Sequence, residues 1–556
     1  SRINGTLSDS RQGQYWGDQC NANRPSYAGS PHAAITNKNA WNYTWENILS
    51  YNTTIAKDHN IGGSVITSWN KNQNDSSLAA ASGQMVDRWS FWRLASGASQ
   101  HVESDFAQTQ KMSFAVRFNY SYKGKYLFTF SNRWDGVSQF SAGHKWDSFP
   151  AGAIAWRISD EPFMNVAKNW LNNLKLRVGY GITGNSGGVD AYGTTTQAYV
   201  YTGNGLTLNG QNSSFTQYTG TYGSKDLGWE KSYNWNVGLD YGILNNRVDG
   251  SIEWFKTTTK GLLFKRTLPI TSGLTGWGSP LSIWQNIAET SNQGVEVTIN
   301  SHNIKTKDFS WTTSLNLSHN KNKIVKLADL PEFIDGNYIR KEGCSYATIY
   351  LREYAGVDPN DGRPMYYDNK EDENGNRSRN IVYDPNDADR VELKDIYPKL
   401  TGGLMNTFNY KFIDLSFNLS FHLGGYSYDG AMYALQDDGY TAQYNKSTEL
   451  RRRWKQPGDI TDVPRYVYGQ EYGGWWNSSR GVHSTDHLRL KSLIVGVSAP
   501  QSWLRTIGIN SARIYFSGTN LLTWAAYDQY DPELNGIVSY FTPPLKTFAF
   551  GLELKF

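Results

Sequence analysis

Residues 544–556 read PLKTFAFGLELKF, and the fold turns on how this stretch is read. Successive side chains of a strand point to opposite faces. Phe548, Phe550, Leu552, Leu554 and Phe556 therefore share one face, and Thr547, Ala549, Gly551, Glu553 and Lys555 share the other. A wholly apolar face opposite a polar one needs a neighbour or a lipid against it. A strand that crosses a membrane needs about 9–11 residues of such alternation.

The pattern recurs along the chain. Met112, Phe114, Val116, Phe118, Tyr120 and Tyr122 alternate with small and polar residues, Lys123-Gly124 turns the chain, and Tyr126, Phe128 and Phe130 resume. A short Gly-containing link between two alternating runs marks a hairpin. Tyr233, Trp235, Val237, Leu239 and Tyr241 form another run. Asn245-Asn246 follows, a pair that tolerates positive φ. Phe309, Trp311, Leu315 and Leu317 repeat the pattern, as do Ile413, Leu415, Phe417, Leu419 and Phe421. These runs predict about 16 or 17 barrel-type strands.

The links between them sort into two kinds. Those near 123, 245, 305, 411 and 504 are short; those at 72–108, 183–228, 259–290, 424–482 and 523–543 are long. An antiparallel meander gathers each kind at one end, as in outer-membrane barrels with short inner turns and long outer loops. Residues 1–40, rich in Ser, Asn, Gly and Gln, read as a long outer loop. Residues 41–556 read as wall strands with their outer loops. No strand is placed between 323 and 400 beyond YATIYLREYAG (346–356).

Composition agrees. Mean hydropathy is −0.59, and no run of 18 apolar residues suggests a membrane helix, but a barrel wets half of every strand and so escapes a hydropathy scan. The 21 Trp and 36 Tyr suit a membrane interface, where one end of the ring is wet. A net charge of +4 is too mild to argue for nucleic acid. Cys20 and Cys344 alone give neither a disulfide framework nor a metal cluster. No leader-like apolar segment opens the sequence: either one was removed with a larger N-terminal portion, or the chain never had one.

LKLRVGYGITGNSGG (174–188) and LGWEKSYNWNVGLDYGILNNRVDGSIEWFKTTTKGLL (227–263) resemble the SusC/RagA family of TonB-dependent outer-membrane transporters of Bacteroidetes. NIAETSNQGVEVTINS (286–301), LRLKSLIVGVSAP (488–500) and RIYFSGTNLLTWAAYDQYDPEL (513–534) add to the resemblance, in order along the chain. It implies a transmembrane antiparallel β-barrel of about 22 strands, an N-terminal plug, a TonB-binding segment, and a SusD-like surface lipoprotein that caps the barrel. The implied cargo is oligosaccharide or, in some members, peptide; the implied location is the bacterial outer membrane, with no cofactor. Plug and TonB box are not found in this sequence, so the reading expects them on a separate N-terminal fragment. The cut would fall in the exposed loop 1–40.

Chemical motifs are few. Gly179-x-Gly181-x-x-Gly184 matches a dinucleotide fingerprint by letter, but no helix follows to hold a phosphate. Asp358, Asp361, Asp368, Glu371, Asp372 and Glu373 cluster without EF-hand spacing and read as a solvated loop. Nine scattered His, no HExxH and no GxSxG leave hydrolase chemistry unsupported, so no catalytic or metal residue is assigned. The candidate substrate contacts are loop aromatics: Trp277, Trp284, Tyr472, Trp475 and Trp476. Such rings stack on sugars, dock on a partner, or pack the loops on one another. Asn234, Asn236 and Asp240 are expected to face a wet lumen. The competing reading from another class is a soluble all-β glycan-binding protein or glycoside hydrolase; a passive porin is a third.

Overall fold

A computed structural model describes residues 1–17, 31–84, 86–196, 198–201, 207–208, 211–212, 215–218, 221–273, 275–276, 279–327, 331–440, 444–469, 477–504, 508–534, 536–538 and 542–556. Among these, sixteen strands reach nine residues or more. The first eight are β1 Arg2–Trp16, β2 His32–Ile55, β3 His59–Gln84, β4 Gly97–Tyr122, β5 Tyr126–Val137, β6 Trp146–Arg157, β7 Leu171–Asn185 and β8 Glu230–Ile243. The rest are β9 Val248–Thr267, β10 Ser282–Lys305, β11 Phe309–Leu327, β12 Leu400–Tyr410, β13 Ile413–Leu423, β14 His487–Ser498, β15 Ser511–Ala525 and β16 Thr547–Lys555. Among the described residues no helix is long and apolar enough to cross a membrane, which leaves crossing by strands untouched.

Connection length alternates along most of the chain, the exception being 138–145, which is shorter than its neighbour 158–170. One series runs 56–58, 123–125, 158–170, 244–247, 306–308, 411–412 and 499–510; the interleaved series runs 17–31, 85–96, 138–145, 186–229, 268–281, 328–399, 424–486 and 526–546. The tight turns sit where the sequence allows positive φ, at Lys123 (51°), Asn245 (57°), Asn246 (55°) and Lys411 (51°). This is the predicted barrel asymmetry.

The chain divides into two compact units, 1–154 with 179–234 and 259–288, and 155–178 with 235–258 and 289–556. In the first unit β1 to β5 pair antiparallel, each with the next. Trp45 pairs with Trp69 and Trp69 with Met112 on one face, while Phe118 pairs with Phe130 on the same face. These side chains are exposed, Leu49 at 74% and Tyr51 at 70%.

In the second unit β11 to β16 pair in chain order. Their register writes the barrel pattern across six strands. One row is Trp311, Phe408, Leu415, Val495, Phe516 and Phe550; the next, one residue along, is Thr312, Thr407, Ser416, Ile494, Ser517 and Ala549. Phe550 is 82% exposed. A continuous apolar band of this kind has no place in water and is what lipid covers.

The long connections of this unit fold on themselves. Residues 332–335, 338–341, 348–352 and 390–395 form a four-stranded sheet; 354–357, 364–367 and 381–382 form a second; 426–429, 482–484 and 536–538 form a third. Ile349, Leu351 and Tyr428 make one buried core, and Tyr366, Ala388 and Met432 another.

Two sequence expectations are corrected. Residues 1–40 are not a loop throughout: Arg2–Trp16 and the start of β2 are strand, paired from Arg2–Glu46 to Trp16–His32. Gly5, Asp9, Arg11 and Gly13 interrupt the face that carries Ile3, Leu7 and Tyr15, and so erase the alternation. Likewise 72–108 is mostly strand, with β3 and β4 paired out to Gln84–Gly97. Beyond the lipid both faces are wet, so pairing persists where the apolar period stops.

Candidate functional site

The inner face is polar by register. Ser314, Asn316 and Ser318 on β11 stand beside Met405, Gly403 and Thr401 on β12, and these beside Asn418, Ser420 and His422 on β13. With Glu296, Thr298 and Lys491 they line a concavity of about 730 Å³. The alternation that buries nothing on one side thus supplies hydroxyls and amides on the other.

The expected lumen residues are engaged laterally. Arg177 donates to Asp240 at 2.7 Å and to Glu253 at 2.9 Å, and Asn236 donates to the same Glu253 at 3.3 Å. Asn234 donates to the Thr183 hydroxyl at 3.2 Å. The wall's inner charges pair strand to strand.

Of the candidate aromatics, Trp277, Tyr472, Trp475 and Trp476 lie outside the described residues. Trp284 is half-buried. It packs on a core of Val137, Phe140, Phe149, Val189, Leu227 and Trp229. Its indole N–H donates to Asp190 at 3.1 Å, and Lys265 reaches the same carboxylate at 3.1 Å. Part of this ring is therefore spent on holding two connections together, the packing role weighed against substrate contact above.

A cavity that the sequence did not mark lies nearby in the first unit. It is lined by Phe106, Gln108 and Gln110 of β4, by 138–145, and by Tyr192 and Lys225. These residues come from four separate stretches, and no local motif joins them.

The remaining motifs resolve into local structure. Asp358 accepts from the Tyr383 hydroxyl at 2.6 Å and from the Asn360 N–H at 2.8 Å; Asp368 accepts from Ser378 at 2.8 Å; Asp372 accepts from the Asn374 N–H at 2.9 Å. They shape turns, and among the described residues no three potential ligands gather round a metal site. The glycines of the GxGxxG letters sit in β7, where a Cβ on Gly184 would fall 2.1 Å from the Phe149 ring and one on Gly181 2.9 Å from Ala151. Close strand packing, not phosphate, requires them.

Outside the wall, His483 stacks on Tyr527 at 3.7 Å between ring centroids. Burial, with Arg480 adding to it, pushes the His483 imidazole down to about 4. Tyr527 donates to Asp429 at 2.9 Å, and burial raises that carboxyl above its ordinary range.

Comparison with known proteins agrees with this architecture. The family model described as TonB dependent receptor-like, beta-barrel, matches residues 2–342. TonB-dependent receptor P3 of Formosa agariphila is 32% identical over 94% of this chain and 53% of its own length. TonB-dependent receptor SusC of Bacteroides thetaiotaomicron is 31% identical over 80% of this chain and 44% of its own. The chain thus spans about half the length of these relatives. The RagAB peptide transporter structure superposes with a TM-score of 0.83 at 24% identity, covering 99% of this chain and 59% of that one. These relatives are receptors and transporters, not enzymes, which sets aside the soluble hydrolase reading. With exposed apolar rows on one face of its strands and polar rows on the other, the chain belongs to the TonB-dependent receptor-like β-barrel family and is an outer-membrane protein.

Proposed function

We propose that this chain forms much of the wall of a TonB-dependent importer that takes oligosaccharides through the outer membrane beneath a SusD-like lipoprotein. The observation that carries the reading is the two-faced wall of the second unit, apolar rows outside and a hydroxyl- and amide-lined concavity inside. Such a wall passes polar solutes and performs no bond chemistry. On the family's pattern TonB acts on a plug, which on this reading is carried by a separate N-terminal portion. Trp277, Trp284, Tyr472, Trp475 and Trp476 are proposed to meet the cargo on its way in, since aromatic faces and sugar rings stack.

Peptide import by the same architecture is the second reading, favoured by the fold likeness to the RagAB peptide transporter. Deletion of the gene, followed by growth and uptake on oligosaccharides and on oligopeptides as sole nutrients, separates the two. Loss on oligosaccharides alone supports the first reading, and loss on peptides alone replaces it with the second. A pull-down in mild detergent tests the partners: recovery of a plug-bearing fragment and a lipoprotein supports the assembly, and recovery of this chain alone overturns it.

A further inference from the structure

We infer that the cleft beside the outer stretch of β4 is a binding subsite selective for acidic oligosaccharides, those bearing carboxylate or sulfate groups. The inference rests on the oligosaccharide reading above and names a charge class within it.

The cleft exists because two strands differ in length. β4 pairs with β5 only from Tyr122 to Lys111, while with β3 it continues to Gly97. Beyond Lys111 that edge of β4 is left to the connections, and residues 138–145, 191–195 and 224–225 close a cavity of about 630 Å³ against it. A volume of this order suits a few sugar rings.

Its floor is fixed. Phe140 is 1% exposed, and the Ser141 hydroxyl donates to the Ser224 carbonyl at 3.0 Å while accepting the Leu227 N–H at 3.1 Å. The Lys145 carbonyl accepts from the Val137 N–H at 3.1 Å and from the Trp229 indole at 3.0 Å. Residues 137–145 and 224–229 are thus tied together before any ligand arrives, which lowers the ordering cost of binding.

Its lining is matched to sugars. Phe106 and Tyr192 are exposed at 49% and 38% and offer faces for pyranose rings. Among the described residues the side-chain amides of Gln108 and Gln110 make no hydrogen bond, so they can bond hydroxyls. The charges decide the class. Lys145 and Lys225 are the only charged lining residues, both exposed and without an ion-pair partner among the described residues. The carboxylates beside the lining in sequence are not among its residues: Asp190 is held by Lys265 and Trp284, Asp147 by Lys231 at 2.7 Å, Asp105 accepts the Phe106 N–H at 2.8 Å, and Asp226 does not line the cavity. A contrasting groove in the second unit, lined by Glu332, Lys341, Glu371, Arg377 and Glu392, satisfies its own charges, with Lys341–Glu392 at 2.9 Å and Arg377–Glu392 at 3.1 Å. Two unneutralised ammonium groups on a preformed floor favour an anionic ligand.

The test is calorimetric titration of the purified full transporter in detergent with three hexasaccharides: an oligogalacturonate, a heparin-derived sulfated sugar and neutral maltohexaose. At least one acidic sugar is expected to bind roughly tenfold or more tightly than the neutral one. Lys145→Gln with Lys225→Gln should erase that difference, and the Lys→Arg pair should keep it. Preference for one acidic probe alone tells carboxylate from sulfate recognition and supports the proposal either way. Equal binding of acidic and neutral sugars overturns the subsite and leaves oligosaccharide import standing. A preference that survives in the double Gln variant also overturns it. Binding of a peptide panel and of no sugar overturns both readings.

Discussion

The second unit holds two regions built on opposite solvent logic. In the wall, β11 to β16 turn Phe516, Phe550 and Val495 outward. In the long connections, Tyr366, Ile349 and Leu351 turn inward to 1% exposure or less. The apolar residues are chemically alike; what differs is the phase that receives them. The wall gains by leaving water for lipid and needs only period-2 alternation. The connections remain in water and must build small cores from three sheets. Two stability problems therefore share one chain and can be broken separately.

The largest effect is expected in a connection core. Tyr366→Ala removes a fully buried ring and should cost about 3–5 kcal/mol there. Hydrogen exchange should rise across 354–395 while β11 to β16 stay protected. Loss of protection in both would mean that the regions are coupled. Next is the wall's lipid face. Phe516→Arg should cost about 2–4 kcal/mol in urea titration of bilayer-inserted protein, whereas Ser517→Arg on the polar face should stay within about 1 kcal/mol.

Acid should then loosen the third connection sheet. The His483 imidazole is held down at about 4 in the fold against about 6.5 when unfolded, so the unfolded chain binds the extra proton between those values. Its contribution is complete above pH 6.5 and falls as pH drops toward 4, by about 2 kcal/mol at pH 5. Asp429 opposes this, because a carboxyl raised by burial favours the fold as it protonates. His483→Phe should flatten exchange of residues 482–484 between pH 7 and 5. An unchanged slope would remove the histidine from the account. The smallest effect has the other sign. Among the described residues the buried Tyr366 hydroxyl has no hydrogen-bond partner, so Tyr366→Phe should be neutral or stabilise by about 1 kcal/mol, read from thermal unfolding of the connections.

Legibility followed the same divide. Where lipid meets one face, the alternation Met112–Tyr122 or Ile413–Phe421 was visible in the residues. Where both faces are wet, it vanished: β1 was read as loop, and β3 and β4 were cut short by more than ten residues each. Of the connection sheets between 332 and 395 only 346–356 was legible, as one strand where the structure has two, 348–352 and 354–357 in different sheets; the others run only two to six residues and owe their place to contacts far along the chain. At the candidate site, Trp284 was visible as an aromatic in a polar stretch. Lys145 and Lys225 were not, because they meet only once the connections fold.

The hairpin of β3 and β4 has 26 residues in each strand, a contour on the order of 85 Å at about 3.3 Å per residue. A bilayer uses about 9–11 of those residues. The remainder continues as a paired ladder past what the lipid needs, with β2 alongside β3 out to His32–Ser82 and β4 out to Gln84–Gly97. The tip is not free-standing: the Phe91 ring lies where a side chain on Gly13 of β1 would go, and Arg11 sits over the Trp92 ring, so an insertion at the tip has to keep these contacts to be tolerated.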